Sequence, residues 1–600
     1  MLKSIRYLVI MILLLGILAA CGTPAEETPT QAPAATEVME EPTKEPVEEP
    51  TEAPTEVPTE VPTEEPTEVP TEEPMDTSTM TIAEIAAADP NFSMLLAAVQ
   101  EAGLADALSG GELTVFAPTN EAFEAYAAMG GGEVGADTLM YHVVEGAVMS
   151  ADVAGMTFAP TMLEGRNISI DVRDGGVLLN GEANVVMADV PASNGVIHVI
   201  DHVLVPRSVT FYHFGDLSGP LAGITAPLVT GFNDAVAAAN AGRGVYGATI
   251  NLEFTDTQSS VDAAVAAYDR YTSEDDNVLI MFTYGSGDGE ALASRFREDK
   301  IPNLAAGLSS VAFYGVDSGY TFGYAPIYPE QFGLFLDYIT ANWDAVKPAG
   351  AGDEINLAYI SWPTAYGQGA LTPESRAYAE SLGVNIVAEE IIDPTNPATD
   401  TTPAILNAQA AGANVIYTNT LAFGPAGILN GLGVLGLRQN FLVGANNWAM
   451  DLATYAYLSD PALAVGMITP FPYLWWTDQD NPGIQYISKI FTENQRPPEL
   501  QSVGYLLTFA GVDLAIKAMQ KAIDDNGWAG LTGETVAQGL ISLGETEVLD
   551  GVFLVDFSNN NRSPRMAQIR QIQGGPDAFV VLQDFTEAPL LRPAETFQLP

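Results

Sequence analysis

From Pro50 to Pro74 a proline recurs at every fourth position, as Pro50, Pro54, Pro58, Pro62, Pro66, Pro70 and Pro74, with Thr-Glu and one further residue between. Each proline fixes φ and lacks a backbone donor, so neither a helix nor a central strand tolerates this repeat. Apolar side chains are few and the glutamates repel one another, so residues 21–78 are expected to be a disordered Pro/Thr/Glu-rich tether. In polyproline II, at about 3.1 Å per residue, some 50 residues would reach on the order of 150 Å at most. Packed structure must therefore come from residues 79–600. That length exceeds one hydrophobic core, and two or three domains are expected.

The first segment has the plan of an export signal. Lys3 and Arg6 precede an apolar run from Leu8 to Leu18, followed by Leu18-Ala19-Ala20-Cys21-Gly22. This stretch resembles the bacterial lipoprotein lipobox, which implies removal of residues 1–20 and acylation of Cys21. An uncleaved membrane span is the alternative, but an apolar run of about 14 residues falls short of the roughly 20 a span requires. Cys21 is the single cysteine of the chain, so no intrachain disulfide, Cys-based zinc site or CxxC pair can form. The formal net charge of -55 excludes a basic nucleic-acid footprint. It also repels anionic headgroups, leaving the lipid anchor as the expected membrane contact and an extracytoplasmic, membrane-tethered location.

Residues 79–207 mix an amphipathic helical start with short strands. Ile82, Ile85, Phe92, Leu95, Leu96 and Val99 follow helical spacing, and strands are expected at Leu113–Phe116, Ile168–Val172, Val177–Leu179 and Val196–Val205. Thr119 or Asn120 can cap a helix entered at Glu121. Three segments, Leu113 to Phe123, Leu139 to Val144 and Asn194 to Pro206, are similar to the conserved motifs of the fasciclin family in order and spacing. The resemblance implies an α+β adhesion module whose partner is a cell-surface protein or glycan. His198 and His202 would lie on one face of an extended strand but about 13 Å apart at roughly 3.3 Å per residue, too far for one zinc ion. No metal or other cofactor is expected, and His142 reads as a structural histidine.

From 208 to 600 strand-like runs alternate with helical ones. Strands are expected at Val209–Phe214, Thr249–Phe254, Val278–Phe282, Asn356–Ile360, Asn385–Val387, Asn414–Tyr417 and Phe441–Val443. Such alternation predicts parallel sheets covered by helices, with ligands beyond the carboxyl ends of the strands. Gly215 to Pro220, Asp256-Thr257-Gln258, Glu298 to Asn303, Ala365 to Gly369 and Ala411 to Ile416 together resemble the type I periplasmic binding proteins, in particular the Leu/Ile/Val substrate-binding branch of ABC transporters. The resemblance implies two α/β lobes (208–326 with 470–557, and 330–467 with 563–600). Three hinge crossings would join them, near Pro326–Pro329, Met467–Tyr473 and Phe557–Ser563. It implies a small-molecule ligand closing the lobes, an ABC permease as partner, and no enzymatic step.

Carried over by position, the ligand site would draw on Ser286 and Ser309 from the first lobe and Tyr366, Phe423 and Asn446 from the second. Where amino-acid binders place a carboxylate opposite the ligand ammonium, this chain has Gly444-Ala445-Asn446-Asn447-Trp448. An amide leaves a buried cation unpaired, so a neutral or anionic ligand other than a plain α-amino acid is expected. Gly431 to Gly436 fits GxGxxG literally, but it follows a helical run instead of a strand and reads as a helix end. Among four histidines, only His213 lies in the large domain, inside a strand and badly placed to serve a serine nucleophile. The rival to a transport protein is a surface adhesin or ligand sensor; neighbouring permease and ATPase genes, or a neighbouring sensor kinase, would separate the two.

Overall fold

The computed structural model describes residues 76–449, 451–575 and 578–598. The leader, Cys21 and nearly all of the tether lie outside them.

The first domain opens at Thr81, whose side chain and that of Glu84 form a capping box on the helix Ile82–Ala88. Seven strands follow: β1 (Leu113–Pro118), β2 (Val143–Glu145), β3 (Phe158–Pro160), β4 (Asn167–Arg173), β5 (Gly176–Leu179), β6 (Ala183–Ala192) and β7 (Gly195–Ile200). They form one sheet in the order β2-β1-β7-β6-β5-β4-β3, with only β1 and β7 parallel. Thr119 caps the helix Asn120–Ala128. The last strand ends five residues earlier than the apolar run suggested. Asp201 turns away to accept from Asn184 N and to pair with His202 Nδ1, each at 2.7 Å. His198 and His202 therefore share no strand, and His198 Nε2 lies 2.9 Å from the Val148 carbonyl. His142 is buried, with Nδ1 2.7 Å from the Thr138 carbonyl and Nε2 accepting from Leu204 N at 2.9 Å; burial lowers its pKa to about 4.

The second domain holds two sheets. In lobe 1, β8 (Ser208–Gly215), β9 (Thr249–Asp256), β10 (Met281–Thr283), β11 (Asn303–Ala305) and β12 (Thr321–Gly323) run parallel in the order β12-β11-β10-β8-β9. In lobe 2, β13 (Ile355–Ser361), β14 (Val384–Ile391), β15 (Val415–Thr418), β16 (Leu442–Ala445) and β17 (Ile468–Phe471) repeat that order as β14-β13-β15-β16-β17. A small hairpin, β18 (Glu545–Val548) with β19 (Phe553–Asp556), precedes β20 (Met566–Ile572) and β21 (Phe579–Glu587), which extend the lobe 2 sheet antiparallel. Each lobe is thus doubly wound, with a switch point beside its first strand. The helix Phe423–Leu435 ends at Gly436 in the left-handed region (φ 67°), so the GxGxxG match is a helix terminus.

The chain crosses between lobes after β12, after β17 and after β19. The second crossing starts beyond Phe471, later than the expected Met467, because residues 468–471 are a lobe 2 strand. The tail also departs from expectation: instead of serving lobe 2 alone, it returns to stack Phe597 on Tyr314 of lobe 1.

The fasciclin-like domain is bonded to lobe 1 well beyond the linker. Tyr246 is 4% exposed, donates its hydroxyl to Asp524 (3.0 and 3.1 Å), accepts from Arg173, and lies beneath the Arg173 and Arg243 guanidiniums. Arg243 pairs with Asp171 at 2.7 Å. Arg207 pairs with Glu182 and lies 4.6 Å over the ring of Trp528, whose indole donates to the Asn180 carbonyl at 3.0 Å. Gly181 makes the approach possible: a Cβ there would stand 2.5 Å from the Tyr246 ring.

Candidate ligand-binding cleft

A cavity of about 530 Å³ lies where the carboxyl ends of both sheets face each other. Its walls come from residues just past strands. Gly215 and Asp216 follow β8, Thr257 and Ser259 follow β9, Tyr284 to Asp288 follow β10, and Ala306 follows β11. From lobe 2 come Trp362 to Tyr366 after β13, Pro394 and Thr395 after β14, Leu421 after β15 and Trp448 after β16. Both switch points therefore open onto one space, the position at which doubly wound sheets take ligands.

Most of the lining is apolar or aromatic, and its polar groups are largely committed. Asp216, 2% exposed, accepts from Gly219 N, Leu221 N and Ser259 Oγ. Ser286 Oγ and Tyr328 Oη lie 3.2 Å apart, and Tyr284 Oη lies 2.9 Å from His213 Nδ1. Thr364 caps the helix Ala365–Gln368 through Gly367 N at 3.0 Å. Asp288 sits in the first turn of the helix Ser286–Glu298; burial raises its pKa to about 6, opposed by the Gly285 N–H it accepts.

The five residues carried over from the family separate into two groups. Ser286 and Tyr366 line the cavity. Ser309 instead caps the helix Ser310–Tyr314 and bonds Glu290. Phe423 packs behind Trp362 with ring centroids 5.2 Å apart. Asn446 is fully buried: its Nδ2 donates to Tyr366 Oη at 2.7 Å and to Asn419 Oδ1, while its Oδ1 accepts from Trp448 N at 2.9 Å. It holds the cavity wall from behind. The sequence reading missed Trp362, Trp448, Tyr328 and Asp288. Trp362 was within reach of the strand-end rule, since it follows an expected strand by two residues.

Two doubly wound lobes joined by three crossings, with their switch points on a shared cleft, define a clamp-type solute-binding protein. Comparison with known proteins agrees: residues 209–576 match the periplasmic binding protein family and residues 90–206 the fasciclin domain, and the chain belongs to the periplasmic binding protein family with a fasciclin domain at its amino-terminal side. Residues 41–76 match the PT disordered repeat. In the fasciclin region the chain is 46% identical over 141 residues to Protein sll1483 of Synechocystis, covering 22% of this chain and 75% of that protein. Among solved structures it is similar to a branched chain amino acid ABC transporter protein of Thermus thermophilus with bound valine (TM-score 0.58, 21% identity, 65% of this chain and 98% of that one). It is also similar to a fatty acid ABC transporter substrate-binding protein of Thermomonospora curvata (TM-score 0.55, 19% identity, 66% and 97%). At these identities the structural likeness speaks for the fold. Family membership implies an extracytoplasmic location.

Proposed function

We propose that this protein captures a small organic solute outside the cytoplasm and hands it to an ABC permease, held to the membrane by a lipid on Cys21. The observation that carries this reading is the cleft shared by two lobes: contacts to both at once favour the closed state, so ligand binding is a population shift about the hinge. No bond need be made or broken. His213 supports that view, because it stacks on Phe232 at 4.5 Å, bonds Tyr284, and is kept neutral by burial, with its pKa lowered to about 3. The fasciclin domain mounts the clamp and offers a surface for a cell-surface protein or glycan.

The sole cysteine makes a clean test possible. In a soluble Cys21→Ser form, cysteines placed at Asp269 in lobe 1 and Leu406 in lobe 2 take a pair of spin labels. Interlabel distances should shorten when the cognate solute is added from a fractionated metabolite extract. A distribution unmoved by every fraction refutes the clamp. In the native host, Cys21→Ser should also move the protein from the membrane to the soluble fraction.

A further inference from the structure

A second cavity, of about 110 Å³, lies inside the fasciclin domain. The helix Ile82–Ala88 and the helical stretch Pro90–Glu101 after it meet at a bend of 104° and roof this space. Val115 and Ala117 of β1 and Ile197 of β7 form its floor. Small side chains leave it open. Ala83 and Ala86 stand on the first helix, Ala105 and Ala107 in the turns that follow the second, and Ala117 on β1. Larger aliphatic side chains at these places would close the gap, and protein cores seldom keep voids bigger than a water molecule.

The walls offer nothing that would hold water. Of the described residues lining the cavity, only Gln100 and His142 are polar. Both ring nitrogens of His142 are taken, Nδ1 lying 2.7 Å from the Thr138 carbonyl and Nε2 accepting from Leu204 N at 2.9 Å. A buried water needs about two to four polar partners, so this cavity stays dry, and a dry apolar cavity of about 150 Å³ takes up benzene. Gln100, Ala105 and Met162 line the cavity and are exposed as well, which puts a mouth among them. Met140 and Met162 are unbranched and flexible, so the wall yields to a guest slightly larger than the resting space.

We propose that the fasciclin domain is itself a binding module, with a site in this cavity for an uncharged hydrocarbon group of about six carbons, the size such a volume accommodates. The group enters past Met162 and lies between the two helices and β1, leaving any polar substituent at the mouth beside Gln100. The site is independent of the clamp, since none of the residues lining it lines the cleft.

The test follows carbon-13-labelled methionine methyls in spectra of the Cys21→Ser full chain, with the Met140 and Met162 signals assigned from Met140→Leu and Met162→Leu. No methionine lines the cleft among the described residues, so these two signals report the fasciclin cavity alone. Benzene should move both along a saturating curve with a dissociation constant below about 10 mM. Phenol should bind at least about 10-fold more weakly, because its hydroxyl would be buried without a partner. Ala117→Leu fills the space and should weaken benzene at least about 10-fold; Ala86→Leu does the same from the roof and keeps the test open if Ala117→Leu fails to fold. 1-Hexanol tells the two sources of such a group apart: competition with benzene marks the tail of an amphiphile, and benzene binding without competition marks a free hydrocarbon. Methyl signals unmoved in buffer saturated with benzene overturn the proposal. So does phenol binding as tightly as benzene, or undiminished benzene binding in the folded leucine variants.

Discussion

Tyr246 offers the sharpest test of how the two domains are joined. Its ring is all but buried, with two guanidiniums over it, 5.6 Å from Arg173 and 5.5 Å from Arg243, and its hydroxyl reaches both oxygens of Asp524. Tyr246→Phe removes only the hydroxyl, and with it the bonds to Asp524 and from Arg173, each a bond to a charged group worth about 1.5–3 kcal/mol. Tyr246→Ala also removes the ring, and large-to-small changes at buried aromatics cost about 3–5 kcal/mol. The backbone at 246 is left-handed (φ 46°) in both variants and in the parent, so the difference between the variants isolates the ring. Scanning calorimetry of the Cys21→Ser chain should show the fasciclin domain and lobe 1 melting together in the parent. Tyr246→Ala should split off a separate fasciclin transition, lowered by roughly 10 °C at about 2–4 °C per kcal/mol, with Tyr246→Phe intermediate. Independent melting of the two domains already in the parent, or identical profiles for the two variants, would refute the reasoning.

Three further outcomes follow from buried groups. His142 stays neutral in the fold with a pKa of about 4 against an ordinary 6.5; its contribution is whole above pH 6.5 and lost as pH falls towards 4, up to about 3 kcal/mol. His142→Gln should flatten the acid limb of fasciclin unfolding followed by circular dichroism. Asp288 sits at about 6, raised by burial; a neutral ligand that dries the cleft raises it further, so affinity should climb as pH falls from 8 to 5.5 and Asp288→Asn should remove the slope. Calorimetry in buffers of different ionisation heat would detect the proton taken up. Gly367→Ala would place its Cβ 2.2 Å from the Trp362 carbonyl oxygen; it should destabilise lobe 2 by about 1–3 kcal/mol in urea unfolding.

The pattern of strands was legible because the five leading strands of each sheet in the second domain are parallel, which makes them short apolar runs between helical periods. Ser208–Gly215, Thr249–Asp256 and Ile355–Ser361 all lie within a few residues of expectation. The errors share one cause. Val278 to Ile280 are buried but unpaired, since strand pairing there begins at Met281; Val203 and Leu204 are buried beyond the end of their strand. Apolar runs report burial, and the ladder ends where a polar group such as Asp201 finds a different partner. The wall of the site was less legible. Asn446 meets Tyr366 from 80 residues away and Asn419 from 27, and nothing local to any of the three announces that contact.

The distribution of the junction bonds also bears on mechanism. Among the described residues, the hydrogen bonds and ion pairs linking the fasciclin domain to the clamp end on residues 240–249 and 524–528, all in lobe 1. Lobe 2 makes none of these bonds among the described residues. Whatever fixes the fasciclin domain, whether a tether or a surface partner, therefore fixes lobe 1, and closure must appear as motion of lobe 2. Bringing a surface partner to the fasciclin domain should leave the ligand affinity of the clamp unchanged, because such a contact has no differential interaction with the open and closed states. A partner that altered affinity would have to touch lobe 2.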